Sequence, residues 1–99
     1  MRSGQKVELV LSALALEAVR SEIDLNADPT ADNSLVVPGL AAEEIQGALE
    51  NARSAGLVHG RPYTGDGSMR LWHNVSVSVL GLIQLGMWPG AGPVTADRR

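Results

Sequence analysis

An α+β fold is predicted by three stretches of this 99-residue chain. Between Leu40 and Gly60, Ile45, Ala48, Leu49 and Ala52 recur at the i, i+3/i+4, i+7 spacing of a core-facing helix. After the Gly65-Asp66-Gly67 turn signal, Met69, Leu71, His73, Val75, Val77 and Val79 alternate with Arg70, Trp72, Asn74, Ser76 and Ser78. That period of two marks a half-buried strand. The chain then becomes helical again across Val79–Leu85, where only Gln84 is polar, and stops at Gly86. Together these imply one domain of three helices, a β-hairpin and a short C-terminal helix over residues 1–89, with 90–99 as a Gly/Pro-rich flexible tail.

Composition narrows the class. Hydrophobic residues make up 44%, but aromatics only 3% and Phe none, so the core must be built from Leu, Val, Ile and Ala. Each Trp therefore stands out. Cysteine is absent, which excludes disulfide and thiol chemistry. Without a basic stretch ahead of an apolar run, and with no run long enough for a membrane span, a cytoplasmic protein is expected. Net charge is −3, yet unevenly placed: residues 1–50 hold three basic and nine acidic side chains, and residues 51–99 five basic and two acidic. The mild positive bias of the second half falls short of the strongly basic footprint of a nonspecific nucleic-acid binder.

The first helix is expected from Gly4 to Glu22 with Ser3 as N-cap. At roughly 100° per residue it carries two apolar stripes. Val7, Val10, Leu11, Leu14 and Ala18 form one; Leu9, Ala13, Leu16 and Ile23 form the other. A monomeric surface helix needs only one. Either the helix is central and covered on both sides, or the second stripe meets another chain.

From Asp24 to Gly39 two readings stand. Asp28-Pro29 reads as an N-cap with Pro at the first helical position, giving a short helix over Pro29–Leu35. Leu35-Val36-Val37 reads equally as a short strand. The Asp, Asn and Thr residues before it form a loop. The helix that follows opens with Ala41-Ala42-Glu43-Glu44, and Gly56 stands where a left-handed residue ends a helix. A hairpin centred on Asp66 would set His59 opposite His73 and Leu57 opposite Val75 on its inner face. The last helix, apolar nearly all round, is expected to be buried on more than one side, with Trp88 as a lid over the core.

The order helix, short element, helix, Gly-Leu-Val strand, turn, strand, terminal helix resembles the winged helix-turn-helix superfamily over residues 5–88. Gly39-Leu40, Glu44-Ile45, Leu49, Gly56-Leu57-Val58, the Gly-Asp-Gly tip and Val77-Ser78-Val79-Leu80-Gly81 carry the resemblance. The closing Leu85-Gly86-Met87-Trp88-Pro89 is similar to the ends of some small actinobacterial members. These are packing residues, so they speak for fold more than for function. The resemblance implies DNA binding through the third helix and the wing. The residues oppose part of that, because Glu43, Glu44, Gln46, Glu50 and Asn51 accompany a single Arg53 on the helix that would read bases. Carboxylates there repel phosphate, and Glu43 and Glu44 suit the dipole of a first helical turn.

The candidate contact residues are accordingly Leu9, Leu16, Ile23, Trp72 and Leu82 for a protein interface, with a homodimer or another protein as partner. Trp72 is expected to project from the polar face of the hairpin beside Arg70, or else to pack on the molecule itself. Arg53, Arg61 and Arg70 are the candidates for the alternative, a regulator touching DNA through the wing. No catalytic constellation, cofactor motif or membrane contact is expected. A zinc site needs three or four protein ligands and only His59 and His73 stand near one another. The sequence thus points to a non-enzymatic module acting by macromolecular contact, through protein first.

Overall fold

The computed structural model describes residues 2–15, 19–62 and 71–88. Its elements run α1 (Ser3–Ala15), β1 (Arg20–Asp24), α2 (Ala42–Ser54), β2 (Val58–Pro62), β3 (Leu71–Val77) and α3 (Val79–Gln84). The strands make one antiparallel sheet in the order β1-β3-β2. Helices and sheet enclose a single aliphatic core with one large aromatic, Trp72, at its centre. The α+β class is as the sequence implies. Of the expected domain, residues 89–99 and the Gly65-Asp66-Gly67 tip lie outside the described residues.

α1 buries the first of its two stripes, with Val7, Val10, Leu11 and Leu14 all in the core. α1 is described to Ala15, residues 16–18 (Ala18 of the first stripe among them) lie outside the described residues, and from Arg20 the chain is a strand and not the helix expected to reach Glu22. Ile23 belongs to β1, an edge strand that helical periodicity conceals because Leu9, Leu16 and Ile23 happen to be spaced by seven. There it sits directly opposite Trp72 of β3, and both side chains are wholly buried.

Between β1 and α2 neither the short helix nor the short strand forms. Local side-chain hydrogen bonds win instead. The Asp24 carboxylate accepts from the Asn26 amide at 2.9 Å, and Asp28 accepts from both the amide and hydroxyl of Thr30. The segment is stitched to β1: Asp24 N–H donates to Asn33 O at 2.7 Å and the Arg20 guanidinium to Ser34 O at 2.6 Å. Thus held, Leu25, Leu35 and Val37 enter the core from a stretch without regular structure.

α2 follows its sequence pattern closely. Ile45, Ala48, Leu49 and Ala52 are buried. Gly56 takes φ +77°, its N–H donating to Arg53 O and that of Leu57 to Ala52 O at 2.8 Å. These paired bonds close the helix and aim Leu57-Val58 into the sheet.

The register between β2 and β3 differs from the symmetric one. His59 faces Ser76 and Arg61 faces His73, so the two histidines are not paired, and Val58, rather than Leu57, opens the strand opposite Val77. Two residues of β3, Asn74 and Val75, stand against the single Gly60 of β2. This bulge needs a left-handed residue on one side and a glycine on the other. Asn74 has φ +56° and Gly60 φ +139°. A Cβ on Gly60 would lie 3.0 Å from Val75 Cγ2 and 3.2 Å from Val75 Cα. The bulge shifts the phase of β3, so Trp72 and Val75 both enter the core although they are three residues apart.

α3 begins at Ser78, a buried N-cap. Its Oγ accepts from Gly81 N–H at 3.1 Å and donates to Gly56 O at 2.6 Å, while its own N–H donates to Leu57 O at 2.9 Å. Gly81 lies so close beneath this junction that a Cβ would sit 2.3 Å from Leu57 O and 2.7 Å from Val77 Cγ1. Gly86 (φ +75°) closes the helix with the same paired bonds as Gly56, Gly86 N–H to Ile83 O and Met87 N–H to Leu82 O. Among the described residues no helix is long and apolar enough to cross a membrane.

Two substitutions test this junction by chemical denaturation. Gly81→Ala is expected to lose about 2–3 kcal/mol, since the new methyl group can be housed only by moving backbone. Ser78→Ala should lose about 1–3 kcal/mol through the unpaired Gly56 carbonyl and Gly81 amide.

Candidate functional site

Trp72 is the residue that the sequence singles out most strongly, and the structure places it inside. It is 0% exposed, and its Nε1 donates to Gln46 Oε1 of α2 at 2.7 Å. Gln46 in turn donates through Nε2 to Glu50 Oε2 at 2.9 Å. The alternation of β3 assigns Trp72 to the polar face; the bulge at Asn74 reverses that assignment. A buried indole whose N–H finds a partner is a packing anchor that fastens the sheet to α2. Trp72 is therefore unavailable as an interface residue, and so is Ile23 opposite it.

The other proposed contact residues scatter. Leu9 is 38% exposed on α1, Ala13 of the same stripe packs against the core, and Leu16 lies outside the described residues. Leu82 is half-buried on α3. Arg53 is exposed at the end of α2, with its Nε donating to Gly60 O at 2.9 Å. That bond ties α2 to the bulged strand and leaves the rest of the guanidinium outward. Arg61 is exposed on β2, and Arg70 lies outside the described residues. Two arginines of the alternative nucleic-acid set are thus at the surface, but on separate elements.

The outward side of α2 is acidic. Glu43 and Glu50 are exposed, and Glu44 pairs with Lys6 of α1 at 3.1 Å. Glu44 Oε1 also accepts from the Ala41 N–H at 2.8 Å. This is half of a capping box, because Ala41 has no side-chain oxygen to return the bond. The Ala41 amide first, and Lys6 second, hold the Glu44 carboxyl below its ordinary value of 4.5. The Thr30 amide and hydroxyl likewise hold Asp28 below 3.8. Both shifts arise from local capping at the surface. Among the described residues no group of three His, Cys, Asp or Glu side chains is placed to hold a metal ion.

The feature that stands out is the outer side of α3. Val79, Leu80 and Ile83 are 48%, 53% and 51% exposed, and Trp88 just beyond is 48% exposed. Val79 and Ile83 are four apart and Leu80 and Ile83 three apart, so they share one face. Gly81 and Leu85 form the opposite, inward side. The helix therefore has two apolar sides and buries one, and Trp88 does not lid the core. Sequence reading notices the apolar character and takes it for burial. The signal that distinguishes the two is the domain's size: a core already filled by two longer helices and three strands leaves a six-residue terminal helix little to pack against.

Comparison of the chain with known protein families, with curated proteins and with solved structures finds no match.

Two expectations follow. Trp72→Ala should lower the unfolding free energy by about 3–5 kcal/mol, as truncations of large buried aromatics do, measured by urea titration. The second concerns acid. Because the folded Glu44 and Asp28 carboxyls titrate below their unfolded values, the stability they add is complete above those values and is lost as pH falls through the folded ones. Melting temperature should therefore fall as pH drops below about 4.5, and fall less in Glu44→Gln.

Proposed function

We propose that this chain is a non-catalytic, winged-helix-like module that works by contact with protein. The observation carrying this reading is the exposed apolar side of α3, where Val79, Leu80 and Ile83 share one helical face, with Trp88 exposed just beyond the helix. Scattered apolar side chains are normal on a protein surface; several large ones on one face mark a contact site. Trp is also among the residues most enriched at binding hot spots. The element order supports the winged-helix part of the reading: a helix, a short strand, an irregular segment, a helix closed by Gly56, a hairpin and a terminal helix.

Charge weighs against DNA as the main partner. In this architecture the helix entering the major groove would be α2, and it presents Glu43 and Glu50 with Arg53 as its one exposed cation. Phosphate neutralisation by Lys and Arg normally supplies most of the affinity for DNA. Catalysis lacks support of another kind. The described titratable groups with shifted pKa are surface capping carboxylates, and His59 and His73 face Ser76 and Arg61 instead of each other.

A fluorescence-anisotropy titration with a mixed-sequence duplex at about 150 mM salt tests the choice. No binding is expected. Binding that strengthens as salt is lowered, and weakens in an Arg61→Glu, Arg70→Glu double variant, would sink the protein-contact reading in favour of a wing-led DNA regulator.

A further inference from the structure

We propose that residues 32–34 are a strap that closes the outer edge of β1 against strand addition, with the Arg20 guanidinium as its latch. The inference is independent of the α3 face.

An edge strand presents its outward N–H and C=O groups as a template for any extended chain. In the order β1-β3-β2 both β1 and β2 are edges. Asp24 stands opposite Leu71 of β3, yet its N–H donates to Asn33 O at 2.7 Å. That bond therefore leaves β1 on the side away from β3. Outward and inward residues alternate along an antiparallel strand, so the backbone of Glu22 faces the same way and that of Ile23 faces β3. Among the described residues the Glu22 backbone makes no bond to the strap. The outer edge is thus covered without being fully paired.

Side chains supply the rest of the cover. Arg20 donates to Ser34 O at 2.6 Å and to Asp32 O at 3.2 Å, and Asn33 Nδ2 donates to Glu22 Oε2 at 2.8 Å. Each of these ties is polar. Asp32 is exposed and Asn33 and Ser34 are half-buried, whereas Leu25 before the segment and Leu35 after it are in the core. The strap can therefore lift while its two anchors stay packed. A shallow groove of about 360 Å³ lies between strap and strand, lined by Val19, Arg20, Ser21, Glu22, Asp32 and Asn33. Hydrogen bonds, more than close packing, hold the strap down.

The other edge is closed by different means. Arg53 Nε takes the Gly60 carbonyl, and Pro62 has no N–H to offer. The missing donor of a proline is a permanent block, whereas a strap is removable. β1 is accordingly the edge whose closure is reversible. Once open, it matches the equally open β1 of a second copy, in antiparallel pairing about residue 22.

Amide exchange read by NMR on the full chain tests the latch. In the wild-type chain the Asp24 amide should exchange more slowly than the Glu22 amide, although both face outward. An Arg20→Thr, Glu22→Thr double variant removes the Arg20 and Glu22 ties, and threonine suits a strand. Asp24 exchange should then rise about ten-fold or more while the Ile23 amide stays protected. As this variant is concentrated from about 10 μM to about 1 mM, sedimentation should show self-association and the residue-22 amide should become protected. The wild-type Glu22 amide should gain no protection over that range, whatever the α3 face does. Arg20→Thr with Glu22→Pro, which removes the outward N–H, should open the strap without that association. Asn33→Ala removes one tie and no side chain of the sheet, so it should speed Asp24 exchange in the same direction even if the double variant does not fold. Unchanged Asp24 exchange in the folded variants overturns the inference. So does an opened edge that stays monomeric at about 1 mM, or an association that Glu22→Pro leaves intact.

Discussion

The hydroxyl of Ser78 is the point on which the architecture turns. One oxygen donates to the carbonyl of Gly56 and accepts from the amide of Gly81, while the same residue's amide reaches Leu57. The end of α2, the start of β2, the end of β3 and the start of α3 meet there. A buried hydroxyl with both roles filled is stable in an apolar interior, whereas either orphaned partner would be costly. Gly81 makes the junction possible, because any side chain at that position would occupy the space of the Leu57 carbonyl. Four elements converge on one residue, so their relative placement is tightly specified even though α3 spans only six residues.

A second constraint, the bulge opposite Gly60, decides what the sheet presents to the core and what it leaves outside. By changing the phase of β3 at Asn74 it carries Trp72 inward, where the indole meets Ile23 across the sheet and Gln46 on α2. In a chain with no Phe and little other aromatic bulk, that one side chain fills much of the centre. The consequence for function is indirect. With Trp72 used for packing, the aromatic left at the described surface is Trp88, next to α3. Bulge and junction thus together leave Trp88 and the outer side of α3 at the surface.

The electrostatic character of the two exposed helical faces then separates their roles. α2 is acidic, and its carboxylates are engaged in capping the helix, in pairing with Lys6 and in holding Gln46 beneath Trp72. Those tasks explain its charge without a ligand. α3 has no charge to explain and an apolar side that the fold does not cover. The domain therefore uses its polar helix internally, as an organiser, and leaves its apolar one outside.

Local chemistry was legible in the sequence wherever the determining interactions are short in range. The four buried residues of α2, the left-handed stops at Gly56 and Gly86 and the inner stripe of α1 all follow from spacing and residue type, because helix faces and turns are set within a few residues. What reached across the chain was not legible. The existence of β1 depends on pairing with β3, some fifty residues away, and an accidental heptad spacing hid it. The inward turn of Trp72 needs Gly60 on the facing strand, since a bulge is a relation between two strands and alternation along one of them cannot reveal it. The exposure of α3 depends on how much core the other elements have already filled. Residue type and spacing alone make α3 an apolar helix. That one of its sides faces outward follows from the packing of the other elements, because burial is a property of the whole packed chain and periodicity a property of a few turns.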